Sequence, residues 1–155
     1  MLGSEYYAKH PVVPIEQTVA DINLELVGRT DDTEGSQVGT ASITGFRLFQ
    51  HRGDSPGDRP AGRDQGLQER NSDRFLGASD NYALAELGVS AHSLCVAFLY
   101  PDYQKVSDHW EKIDFGNMAK VERMVALGVL RVANDVQPPR WNDSNPKAVR
   151  FVHAA

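Results

Sequence analysis

The chain has 155 residues, enough to bury one core and at most one domain. Its 41% hydrophobic and 24% charged content are ordinary for a soluble globular chain. A formal net charge of -5 argues against a dedicated nucleic-acid or anionic-membrane binder, which would be basic. No apolar run is long enough to span a bilayer, and MLGSEYYAKHP lacks the basic start and apolar stretch of a signal peptide. The one cysteine, Cys95, excludes an internal disulfide and a Cys-based zinc cluster. It lies within the apolar run SLCVAFL, where a buried, inert thiol is expected.

In chain order, GSEYYAKH (3–10) reads as the end of a helix stopped by Pro11 and Pro14. TVADINLELVG (18–28) is β-rich, alternates through Val19, Ile22, Leu24 and Leu26, and is closed by Gly28. VGTASITGF (38–46) reads as a second strand with glycine punctuation. Residues 47–70 break the pattern, being rich in Arg, Gly, Asp and Pro and nearly empty of aliphatics. Such an aberrant segment is disordered at face value, although a long structureless insertion is unusual inside a compact α/β domain. SDNYALAELG (79–88) predicts a short helix capped by Ser79 or Asp80 and ended by Gly88. SAHSLCVAFL (90–99) has the length and continuous apolarity of a strand buried on both faces. The loop YPDYQKVSDHWEKIDF (100–115) groups polar and aromatic side chains ahead of a long helix. That helix (115–135) places Met118, Val121, Met124, Val125, Val129 and Val132 on one face. The tail (136–155) is Pro- and Asn-rich and is expected to be irregular. Strands alternating with helices predict an α/β layer fold with a mostly parallel sheet. Ligands of such sheets sit at the strand C-termini, where Gly28 and the 99–109 loop both fall.

Three stretches, LGSEYYAKHPVVPIEQTVADINLELVGR, ASDNYALAELGVSAHSL and YPDYQKVSDHWEKIDFGNMAKV, together resemble the M28 family of zinc aminopeptidases. The resemblance runs over residues 2–46 and 71–135. It implies a partial three-layer sandwich, incomplete at the N-terminus, with residues 1–135 forming the C-terminal portion of a peptidase domain. It also implies two zinc ions, a bridging water as nucleophile and a separate glutamate as general base. The family's carboxylate ligand in "N-x-Asp-hydrophobic-x-Gly-Arg" corresponds to Glu25, which keeps the charge and reaches one methylene further. The histidine ligand of the family's "Asp-Tyr-His" loop corresponds to Gln104, whose amide oxygen is a poorer zinc donor than imidazole. Tyr103 matches the tyrosine that stabilises the oxyanion in relatives. Ser79 and Asp80 match the "Ser-Asp" pair at the pocket-side start of a helix, where capping is the competing role. His109 is a less apt substitute ligand, set near a helix entry.

The resemblance further implies that the general base and the remaining ligands lie upstream of Met1. The chain alone is then expected to be inactive, although the intact family releases N-terminal residues from peptide substrates. Reading the codons of residues 47–68 one base forward permits a helix-then-strand string, so a frameshift is the alternative to disorder there. Strands 18–28 and 90–99 are expected to present bare edges and to promote self-association. A competing function is a metal-free, non-catalytic binding or interaction domain, which Gln104 would suit. Intact relatives are commonly exported; location is not legible here.

Overall fold

The computed structural model describes residues 1–45, 48–50, 67–68 and 72–152. The first helix, α1 (Leu2–Lys9), ends where expected: the His10 amide donates to the Tyr6 and Tyr7 carbonyls, and Pro11 has no amide with which to continue. A 3-10 turn (Ile15–Gln17) leads into β1 (Ala20–Glu25), which lies inside the expected strand 18–28. A small hairpin follows, β2 (Asp31–Asp32) with β3 (Gly35–Ser36), and then β4 (Ala41–Ile43). β5 (Phe49–Gln50) and β6 (Leu67–Gln68) are the strand pieces of the aberrant 47–70 segment; the rest of it, apart from Leu48, lies outside the described residues. A 3-10 stretch (Ser72–Ala78) precedes α2 (Asn81–Ala85), then β7 (Ser90–Cys95) and α3 (Phe115–Asn134). The chain closes with β8 (Arg140–Trp141) and α4 (Val149–Val152).

The main sheet has the order β1-β7-β4-β6. β7 runs parallel to β1, from Ala20 opposite Ser90 to Glu25 opposite Cys95. β4 is antiparallel to β7 and parallel to β6. The fold is therefore α/β with a mixed sheet. Strand direction leaves no mark in a three-residue strand such as β4, which explains why the pattern alone favoured parallel pairing. All six residues of β7 are buried, as its apolar run demands. Both edges of β7 are paired, contrary to the bare edge expected for residues 90–99. Among the described residues, β1 has a neighbour on one side only.

Two apolar clusters hold the layers together. Ala41, Leu94, Val96 and Val121 are buried against Val27, Met124 and Val125, which seats the first half of α3. Further along the stripe Val129 is 46% exposed, whereas Val132 is half-buried. The second cluster joins Leu48, Leu76, Ala85, Val89 and Ala91 to Trp141, Ala148 and Phe151.

In that second cluster, two short elements of the tail, β8 and α4, are packed into the core. β8 pairs antiparallel with β5, and the Trp141 indole donates to the carbonyls of Gly88 and Val89, each at 3.1 Å. Its ring stacks on Phe151 with centroids 4.5 Å apart. The Asn- and Pro-rich composition produces local turns, with Asn142 and Asn145 accepting from the amides of Ser144 and Lys147. Those turns aim two aromatic rings at the core, and the apolar area they bury outweighs the weak local propensity.

Trp141→Ala should therefore cost about 3–5 kcal/mol in urea denaturation, the range of a buried aromatic truncation. A loss below about 0.5 kcal/mol, the surface value, would place the tail outside the core.

Candidate functional site

Because β1 and β7 are parallel, Glu25 and Cys95 end side by side, and the segments leaving them (26–30 and 96–109) share one edge of the sheet. The chain turns away from Glu25 through Leu26, which takes a left-handed backbone at φ 54. Gly28 follows, and a side chain there would meet Ile113 at 3.2 Å. The Gly28 carbonyl instead accepts from the Asp114 amide at 2.9 Å, tying this turn to the entry of α3.

Glu25 is partly buried and accepts a short hydrogen bond from the Ser79 hydroxyl. Behind it stands a chain of polar side chains. Asn23 donates to Ser79 at 2.7 Å and to Ser93 at 2.9 Å, and Ser93 donates to the Asn81 carbonyl oxygen at 2.9 Å. Asn81 is fully buried and anchors the chain by donating to the backbone carbonyl of Ala91 at 3.2 Å. Each hydroxyl accepts once and donates once, so donation runs outward from the Asn23 amide in two directions, through Ser79 to the Glu25 carboxylate and through Ser93 to Asn81. The neighbouring Cys95 thiol is pushed up to about 12, first by burial and then by the Glu25 charge. It stays protonated, in keeping with an inert thiol.

The Ser79 and Asp80 pair divides. Ser79 is buried and turned to Glu25, whereas Asp80 is exposed and accepts from the Ser4 hydroxyl at 2.7 Å. Asp80 occupies the N-cap position of α2, but its side chain makes no capping hydrogen bond. The capping role expected for one of the pair is thus unfilled, because each side chain has a partner elsewhere. Asp80 also acts on Asp21 in β1, whose carboxyl is raised from its ordinary value by burial and then by the Asp80 charge.

The loop after β7 is organised by a residue of the turn after β1. Arg29 is 5% exposed and holds Asp31 in a two-point fork, at 2.8 Å from Nε and 2.6 Å from Nη2. Nη1 donates to Asp108 at 2.6 Å, and Nη2 reaches Asp102 at 3.3 Å. The guanidinium carbon lies 4.4 Å over the Tyr100 ring, and the Tyr100 hydroxyl donates to Asp108 at 2.8 Å. Burial and that bond push the Tyr100 phenol up to about 12. Asp102 also accepts from Lys112 and Ser107, each at 2.7 Å, and these bonds, more than Arg29, hold its carboxyl well below the usual range. Asp31 is lowered chiefly by its hydrogen bonds to Arg29.

Tyr103 and Gln104 project from this loop. Tyr103 is 37% exposed and stands edge-on to Tyr100, with centroids 5.6 Å apart. Gln104 is exposed, has a left-handed φ of 56, and its amide donates to the Tyr103 hydroxyl at 3.4 Å. His109 is exposed at the start of the Trp110–Lys112 turn. Among the described residues, no three His, Cys, Asp or Glu side chains come together to hold a metal. Glu25 and Gln104 thus do not by themselves constitute a zinc centre.

Arg29 was not singled out in the sequence, although Arg29, Asp31 and Asp32 follow the Gly28 turn and Asp102 and Asp108 stood in the emphasised loop. Ser93, a small polar residue inside an apolar strand run, was the available signal for the network behind Glu25.

A family model described as peptidase family M28 matches residues 1–129. The aminopeptidase from Aneurinibacillus sp. strain AM-1 has a similar structure, at a TM-score of 0.58 and 21% sequence identity. The similarity covers 91% of this chain and 31% of that one, so this chain spans less than a third of that protein. No curated protein matches.

Asp21 supplies a pH-dependent check. Its folded value is raised above 3.8, so the ionised carboxylate costs stability at neutral pH, and the cost fades as pH falls through that value. Asp21→Asn should therefore melt higher than the parent at pH 7, with the gain shrinking toward pH 3.8. An unchanged or lower melting temperature at pH 7 would show that Asp21 is not strained.

Proposed function

The chain belongs to peptidase family M28, and from that premise we propose that it forms one flank of an aminopeptidase-like domain. In its complete form the domain is a three-layer sandwich with a mostly parallel sheet, releasing N-terminal residues from peptides with the help of two zinc ions. The observation that supports this reading is that Glu25, bonded to Ser79, ends β1 beside Cys95 at the end of β7, the strand from which the loop bearing Tyr103 and Gln104 departs. Glu25 stands at the carboxylate-ligand position, Gln104 at the histidine-ligand position and Tyr103 at the oxyanion position. Ser79 orients Glu25 from the pocket side, and Asp80 flanks the start of α1.

The described residues do not fit the two zinc ions. One carboxylate already held by a serine, with an amide in place of an imidazole, is too few and too weak a donor set. No step of a metal-dependent reaction is therefore assigned to these side chains, and the chain alone is inactive on this reading. The missing ligands come from outside the described residues.

A second reading rests on Gln104 itself. Its exposed amide beside the Tyr103 hydroxyl offers donors and an acceptor to a peptide backbone without any metal. That arrangement suits a non-catalytic binding or interaction domain. The free side of β1 would in either case favour self-association by strand pairing.

Purified chain supplied with zinc and an aminoacyl-p-nitroanilide should give no turnover above the protein-free blank, and should retain no stoichiometric zinc after desalting. Turnover that Glu25→Ala abolishes would overturn the claim of inactivity. Calorimetric binding of a peptide in the presence of a chelator would favour the second reading.

A further inference from the structure

We propose that Arg29 is the positioning residue of this edge: by gathering Asp31, Asp102 and Asp108 around one buried guanidinium, it sets Tyr103 and Gln104 relative to Glu25. The inference rests on the reading that Glu25 and the 102–104 loop form the site, and it adds how that site is held in shape. Arg29 lies four residues beyond Glu25, past the left-handed Leu26 and the tightly packed Gly28, so its backbone is tied to the strand that carries the carboxylate. Its side chain is tied to the other segment. Asp102 and Asp108 bracket Tyr103 and Gln104 in sequence, and both reach Arg29.

The contacts are of a kind that fixes geometry. Asp31 takes the fork in two parallel bonds, which leaves the guanidinium plane little freedom. Tyr100 closes one face of that plane, and the Tyr100 hydroxyl orients the carboxylate of Asp108 from the far side. With Arg29 6% exposed at its side chain, a lysine could replace the charge but not the fork, the stack and the reach to Asp108 together. The loop cannot hold itself in the same way. Its own backbone bonds are local turns, Tyr103 to Tyr100, Lys105 to Asp102 and Asp108 to Lys105, while its flanks are tied down by the Thr33 amide on the Leu99 carbonyl and the Asp114 amide on the Gly28 carbonyl. Gln104 in a left-handed conformation is costly for a residue with a side chain, and such a backbone persists where its surroundings over-determine it. Between those flanks, Arg29 is the side chain that ties Asp102 and Asp108 to the turn after β1.

The test uses the full chain and two variants, Arg29→Gln and the double variant Asp102→Asn/Asp108→Asn, with Arg29→Lys as the conservative replacement. The double variant keeps Arg29 paired to Asp31 and releases only the loop. Amide hydrogen exchange should speed up by at least about tenfold across residues 100–109 in both variants, while β1 and β7 keep their protection. Arg29→Lys should restore only part of that protection. The Tyr100 ring resonance supplies a second readout. Loss of a nearby cation alone would raise the phenol further, whereas release of the loop into water should bring its titration down from about 12 toward 10.0. Unchanged exchange at 100–109 in both variants would overturn the proposal. So would loss of protection throughout β1 and β7 in both, which would make Arg29 a support of the whole fold rather than of this loop. Neither result bears on whether the chain hydrolyses peptides, so failure of this inference and failure of the peptidase reading remain separable.

Discussion

A single buried guanidinium joins the turn after β1 to the loop that carries Tyr103 and Gln104. Arg29 could not stay charged at 5% exposure without counter-charges, because an isolated ion in a low-dielectric setting costs several kcal/mol. It recruits three carboxylates from two separate segments, and burial is thereby converted into a constraint between them. Each single pair is of the kind that contributes little when solvated. Their common centre is what gives them leverage, since one guanidinium fixes the positions of all three carboxylates at once. Lys112 and Ser107 extend the same logic outward, carrying the Asp102 carboxylate to the entry of α3.

Glu25 is held by different means. The network behind it is neutral, running from the Asn23 amide through Ser79 to Glu25 on one side and through Ser93 to the buried Asn81 on the other, and it joins two strands to the start of α2. Polar groups inside a sheet are tolerated there because each finds a partner, and the same pairing aims one carboxylate outward. The edge therefore combines a rigid acid, an ionic clamp and a loop presenting a phenol and an amide. Among the described residues it gathers no three His, Cys, Asp or Glu side chains that could hold a metal.

Much of this frame is legible in the amino-acid order. The six-residue core of the 18–28 strand, the buried strand beginning at Ser90 and the long helix from Phe115 follow from periodicity and capping alone. Asp114, for instance, accepts from the Asn117 amide as a helix cap should. The family resemblance reaches further, pointing to Glu25 and the 102–104 loop before any coordinate is known. What the sequence hides is relational. Strand direction at β4 depends on how a short segment is threaded, and the burial of Trp141 depends on a core contributed by Leu48, Leu76, Ala85, Val89 and Ala91. Arg29 is hidden for the same reason. An arginine two residues before an aspartate reads as surface charge until residues 102 and 108, more than seventy positions on, are brought alongside.

The most direct measurement is a double-mutant cycle between Arg29 and Asp108, with Arg29→Met, Asp108→Asn and the double variant compared by urea denaturation. If the clamp couples the two segments through this pair, buried on the Arg29 side only, the interaction energy should reach about 1 kcal/mol or more. A value below about 0.5 kcal/mol, typical of exposed ion pairs, would contradict it, and the placement of the loop would then have to come from something other than Arg29.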